Sequence, residues 1–216
     1  GPFALLKNQE GYEPGDERSG VRKVSGVWVP NNKHINTGGV DPFDHVTTVD
    51  SRRSNGAAYL YRKFDALNPE KTGLFVMEYI YRETHPKIFY ESMIKLCVWA
   101  GCDLLFEDNK PGIRHYFEER GYLPCLVHLP DRKEPGLPSS FKTKQELVEV
   151  TKSYVLDSIH KVYFLRLLED WRDFEPTNTK VYDAAMSASF TLLSDKSAMY
   201  ARSNRPDERG RRVDLR

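Results

Sequence analysis

Between Leu74 and Phe106 the chain switches from one periodicity to another and back, and this constrains the fold more than any other stretch. Leu74 to Ile80 is dense in aromatic and branched residues, as strands are. Pro86 then opens a segment in which Ile88, Phe89, Met93, Leu96 and Val98 fall near helical spacing, and Gly101 closes it. Leu104-Leu105-Phe106 follows as a short buried strand. A strand, a helix and a second strand in this order predict parallel neighbours and a right-handed crossover.

The flanking sequence extends the pattern. Gly38-Gly39-Val40-Asp41 reads as a first strand with Asp41 at its end or centre. Ala57 to Phe64 alternates with period two, setting Leu60 and Phe64 on one side and Tyr59 and Tyr61 on the other. Ile113, Tyr116 and Phe117 mark a helix ending at Gly121, and Leu123 to Leu129 reads as another strand. Leu129 to Ser140, with its prolines, is a loop. Thr143 and Glu146 form a capping-box pattern ahead of a long helical stretch with Leu147, Val150, Tyr154, Ile159, Val162 and Leu165 on its apolar face, broken or continuous. Asn178 or Thr179 caps a last helix carrying Val181, Ala184, Ala185, Ala188 and Leu192. The expected class is α/β, a mixed central sheet flanked by helices.

The acidic residues fall at the ends of these elements. Glu107 ends a strand that, in a βββαβ order, lies beside and parallel to the strand of Asp41. Adjacent strands are roughly 4.7–4.9 Å apart, so carboxylates at matching ends can share metal ions and would repel without them. Alternation points Asp108 away from Glu107. Asp183 stands in the first turn of the last helix, and Ala184, Ala185 and Ala188 let that helix approach a sheet closely. Each acid also has a plainer account: Asp41 as an Asp-Pro turn residue, Asp183 as a helix N-terminal anion. Together they suit two hard divalent cations, Mg²⁺ or Mn²⁺, which take oxygen ligands and assist displacement at phosphorus. A metal-dependent nuclease is the expectation.

Composition narrows the alternatives without choosing among them. Lys plus Arg is 32 against 31 for Asp plus Glu, so net charge gives no sign of nucleic acid, although a local patch matters more than the sum. No apolar run reaches transmembrane length, and the start lacks a signal-peptide pattern. Cys97, Cys102 and Cys125 show no CxxC spacing and read as reduced thiols rather than a zinc site. Gly1-Pro2 looks like a tag remnant, and residues 1–30 read as a lead-in or linker with one apolar alternation from Val21 to Val29. Residues 31–200 form the expected domain. Residues 201–216 are an Arg-rich tail, either a solvated extension or a phosphate-contacting arm.

The order GGVDPF, LLFEDNKPG and NTKVYDAAMSAS resembles the C-terminal nuclease domain of tailed-phage terminase large subunits, over roughly residues 31 to 195. The resemblance implies an RNase H-like fold, cleavage of concatemeric viral DNA during packaging, and two Mg²⁺ or Mn²⁺ ions held by Asp41, Glu107 and Asp183. It implies an auxiliary acid at Asp44, with His45 either behind the ligands or on the surface, and Asn109 and Lys110 at the rim. Double-stranded DNA is the implied substrate, with Arg132, Lys133, Lys142 and Lys144 of the loop before the long helix, and Lys180, as candidate phosphate contacts. The other implied partners are an ATPase domain on the same full-length chain, a small terminase and a portal protein, in the host cytoplasm and with no membrane. No GxxxxGK[ST] loop occurs in the sequence, so it is expected to be the nuclease half alone. A junction resolvase, a transposase or a non-catalytic assembly module are the competing readings.

Overall fold

The computed structural model describes residues 3–5, 21–24, 27–30, 35–43, 55–67, 69–129, 132–175 and 181–203. Seven strands and five α-helices are seen in these residues: β1 (Phe3–Leu5), β2 (Val21–Val24), β3 (Val27–Pro30), β4 (Asn36–Asp41), β5 (Gly56–Arg62), β6 (Leu74–Tyr81), α1 (Pro86–Ala100), β7 (Leu104–Leu105), α2 (Pro111–Glu119), α3 (Phe141–Ser158), α4 (Leu165–Asp173) and α5 (Asp183–Ser203). The main sheet runs β1-β6-β5-β4-β7, and β2 and β3 form a separate two-stranded sheet. All its pairings are antiparallel except β4 with β7, which the α1 crossover makes parallel. The expected α/β class, the mixed sheet and the parallel β4–β7 neighbours are all present. The lead-in segment adds an edge strand, since β1 pairs with β6 and Phe3 packs edge-on to Tyr79.

Both faces of the sheet are covered, so β5 and β6 carry buried apolar and aromatic residues on both sides. Val40, Ala58, Leu60, Met77 and Tyr79 face α1 and α2, meeting Phe89, Met93, Cys97, Ile113 and Phe117. Tyr59, Tyr61 and Phe75 face the other way, onto Tyr154, Leu167, Ala184, Ala188 and Leu192 of α3, α4 and α5. The expected alternation of Leu60 against Tyr59 and Tyr61 is thus the division between two cores. A bulge at Leu60/Tyr61 shifts the register with β6. Phe64 lies beyond the end of β5 and is exposed, so it does not share the face of Leu60 as expected.

The ends of α1 follow from its sequence. His85 Nδ1 accepts a hydrogen bond from the Lys87 amide at 3.2 Å, and Pro86 takes the first turn, where its missing N–H costs nothing. Gly101 closes the helix in the left-handed conformation with φ 57°. Cys97, Cys102 and Cys125 meet beneath α1, a convergence their sequence spacing does not reveal.

Other expectations are corrected. Leu123 to Leu129 is not a strand: Pro124 sits in a 3₁₀ turn over Leu123–Cys125, and the chain then makes one parallel bridge, Leu126 with Leu104. The helix after the loop is capped by Ser140, whose Oγ accepts from the Thr143 amide at 3.1 Å, and not by Thr143. That helix ends at Ser158, and a 3₁₀ turn at Ile159–Lys161 precedes α4. Leu147 and Tyr154 are buried as expected, whereas Ile159 and Leu165 are exposed and Val162 is buried in the connection. Asn178 and Thr179 lie outside the described residues.

Candidate metal-binding carboxylate site

The site is built on a close helix–sheet approach. α5 lies across β4 at Gly39, where a Cβ atom would sit 2.3 Å from the Thr191 amide nitrogen and 2.5 Å from the Ser187 carbonyl oxygen. Small polar residues fasten the helix to the sheet. The Ser187 hydroxyl donates to the Gly39 carbonyl at 2.9 Å, the Thr191 hydroxyl to the Tyr59 carbonyl at 3.3 Å, and Thr37 and Ser194 share a 2.7 Å hydrogen bond. This docking brings the N-terminal end of α5, with Asp183 as its first residue, towards the end of β4 that carries Asp41.

Glu107 is brought in from the other side of β4. Gly38 pairs with Leu104 and Gly39 with Leu105, and continuing that register sets Glu107 beside Asp41. Beyond β7 the backbone is held by Leu137, whose amide donates to Phe106 O at 2.8 Å and whose carbonyl accepts from the Asp108 amide at 2.9 Å. Glu107 therefore belongs to a segment that β4 holds at Leu104 and Leu105 and that Leu137 holds beyond them. Asp108 faces elsewhere, as alternation predicts, and its carboxylate takes a 2.6 Å bond from Arg132. Arg132 also donates to the Gly136 carbonyl at 3.1 Å, so this candidate phosphate contact staples its own loop to the Glu107 segment.

The electrostatics couple the three acids. Burial pushes the Asp41 carboxyl up to about 6; Lys110 beside it pulls the other way, while the charges of Asp183 and Glu107 add to the rise. Lys110 forms an ion pair with Asp41 Oδ1. Burial works to lower the Lys110 pKa, but Asp41, Asp183 and Glu107 together hold it above its ordinary value. The two partners respond unequally because the lysine faces three anions and the aspartate one cation. Asp183 is itself oriented by the Asn55 amide, which donates to its Oδ2 at 2.8 Å.

Asp170 was not among the sequence candidates, yet it holds the site in place. Its Oδ2 accepts from the Ala184 and Ala185 amides at 3.0 and 3.4 Å, capping α5 from α4, and Arg166 lies 3.3 Å from its Oδ1. Burial pushes its carboxyl up, against Arg166 and the two amides. No local signal could reveal it, since cap and helix belong to different elements.

The other candidates scatter. Lys133, Lys142, Lys144 and Asn109 are exposed, the first three on the loop and the opening turn of α3. Asp44, His45 and Lys180 lie outside the described residues.

Among the described residues no three His, Cys, Asp or Glu side chains stand at metal-ligand spacing. In charge and donor type the cluster nonetheless fits a hard cation. Its donors are carboxylate oxygens, and three carboxylates against the one ammonium of Lys110 leave it net negative. Asp41, Glu107 and Asp183 are the residues that would hold such an ion.

No helix among the described residues is long and apolar enough to cross a membrane. No protein-family profile matches the sequence, and no curated protein resembles it in sequence. In three dimensions it is similar to the large terminase nuclease of the thermophilic phage G20c. Against the zinc-bound crystal structure the TM-score is 0.55 at 11% identity, over 89% of this chain and 88% of that one. A second crystal structure of that nuclease gives 0.54 at 12% identity over the same shares. The chain thus has the α/β, RNase H-like fold of the large terminase nucleases.

Proposed function

We propose that this chain is a metal-dependent endonuclease that cuts double-stranded, concatemeric viral DNA during genome packaging, in the host cytoplasm and as part of a terminase. The observation that carries the reading is that Asp41, beside Lys110, lies within reach of the charges of Glu107 and Asp183, which arrive from the neighbouring parallel strand and a helix N-terminus. The likeness of fold to a terminase nuclease supports it. Two Mg²⁺ or Mn²⁺ ions, when bound, would supply activation of the attacking water and stabilisation of charge on the leaving oxygen.

The chain's own residues do the holding. Asp41, Glu107 and Asp183 present oxygen ligands from rigid elements. The Asn55 amide orients the Asp183 carboxylate, Asp170 fixes the helix end that bears it, and the Arg132–Asp108 pair locks the loop against the Glu107 segment. No separate catalytic His or Ser is required, because the carboxylates act mainly as ligands. An ATPase domain, a small terminase and a portal protein are the partners this reading brings with it.

The test is nicking of supercoiled plasmid by the purified chain. Activity is expected with Mn²⁺, more weakly with Mg²⁺, stopped by EDTA and untouched by ATP beyond chelation. Glu107→Ala and Asp183→Asn should each lower it by about two orders of magnitude or more, the scale on which removal of a key charge-stabilising group acts. Robust cleavage in EDTA, or full activity in Glu107→Ala, would falsify the reading.

A further inference from the structure

Lys110 carries a charge that interacts with all three carboxylates, and its position in the chain is distinctive. It lies on the turn between β7 and α2, just before Pro111, where its amide donates to the Glu107 carbonyl at 3.3 Å. A candidate ligand and the lysine therefore share one tight turn. The backbone is fixed, while the four-carbon side chain can swing. Its ammonium takes Asp41 Oδ1, an oxygen that a metal ion in this cluster would need.

We propose that the Lys110 ammonium is a built-in counter-ion that holds the cation position of the cluster and leaves Asp41 when a divalent ion binds. This rests on the reading of Asp41, Glu107 and Asp183 as a divalent-cation site. Two cations cannot share one carboxylate oxygen at contact distance without strong repulsion. Such a site resists collapse from its own repulsion while empty of metal, and it sets a threshold that weakly bound ions do not cross. The displaced ammonium stays tethered at the rim, beside exposed Asn109, where a DNA phosphate is the anion best able to receive it.

Mn²⁺ titration followed by electron paramagnetic resonance tests the proposal on the intact chain. Lys110→Met, which keeps the length and removes the charge, should bind Mn²⁺ about tenfold more tightly than wild type, and Lys110→Arg no more tightly than wild type. Equal or weaker binding by a folded Lys110→Met protein overturns the counter-ion role. The function reading survives that result if Asp183→Asn loses the Mn²⁺ that wild type binds. Absence of Mn²⁺ binding in both wild type and Lys110→Met overturns the two together. Nitrogen-detected NMR of lysine ammonium groups in wild type needs no substitution. The Lys110 signal should shift on Mg²⁺ addition, and a signal unmoved at Mg²⁺ levels that displace Mn²⁺ sinks the proposal even if Lys110→Met fails to fold.

Discussion

Asp41 carries the sharpest consequence at the scale of single residues. Its folded pKa of about 6 lies above the usual carboxylate value of 3.8, chiefly because it is buried. Between those values the folded chain binds more protons than the unfolded one, so stability without metal falls as pH rises from about 4 to about 6 and stays low above. The loss is of order 3 kcal/mol by the usual conversion of pKa shift to free energy. Thermal melts across this window, in chelator, should show the decline, and saturating Mn²⁺ should abolish it by favouring the charged carboxylate. A flat profile in chelator would contradict the burial argument. Asp41, Glu107 and Asp183 stood out in the sequence because each falls at or near an element boundary: Asp41 ends β4, Glu107 follows β7 and Asp183 opens α5. Lys110 was legible only as a rim residue. Its inward turn depends on the return of the chain from Glu107 into α2, and a linear pattern carries no sign of that.

Among elements, the packing of α5 on β4 decides whether the site exists. Gly39→Ala would drive a methyl group into the backbone of Ser187 and Thr191, so α5 must shift. The variant should be less stable by about 1–3 kcal/mol, the cost of overpacking a filled interface. It should also bind Mn²⁺ more weakly, because Asp183 retreats with the helix. Denaturant unfolding read beside a Mn²⁺ titration checks both, and unchanged values would mean the helix has slack to give. The sequence showed the close approach through Ala184, Ala185 and Ala188, and the crossover through Pro86 and Gly101. It misled at Leu123 to Leu129, where apolar content suggested a strand but Pro124 took a turn and left Leu126 one ladder step. It misled also at Thr143, because Ser140 lies three residues upstream with an equally good oxygen. Asp170 was hidden for a different reason: a cap contributed by another helix has no local spacing to betray it.

For the whole molecule, near-neutral composition leaves room for a local basic contact, and Lys133, Lys142 and Lys144 are exposed on the loop before α3 and on its first turn. If these lysines meet DNA, neutralising all three should flatten the dependence of log affinity on log salt by about 0.9 for each phosphate that is no longer neutralised. Arg132 is best left intact in that experiment, since it ties Asp108 to the loop and its removal would confound charge with shape. Fluorescence anisotropy over a salt series reads the slope, and an unchanged slope would exclude the loop from the DNA surface. The parallel β4–β7 pair has a further implication, for the order of events in folding. Asp41, Glu107 and Asp183 meet only after the α1 crossover has closed and α5, near the end of the sequence, has docked on Gly39. Pairings between segments so distant in sequence are slow to form, since loop closure must precede the packing that rewards it. A chain still emerging from the ribosome has Asp41 and Glu107 but no helix to bring Asp183 to them, so the cluster assembles only when translation has passed α5.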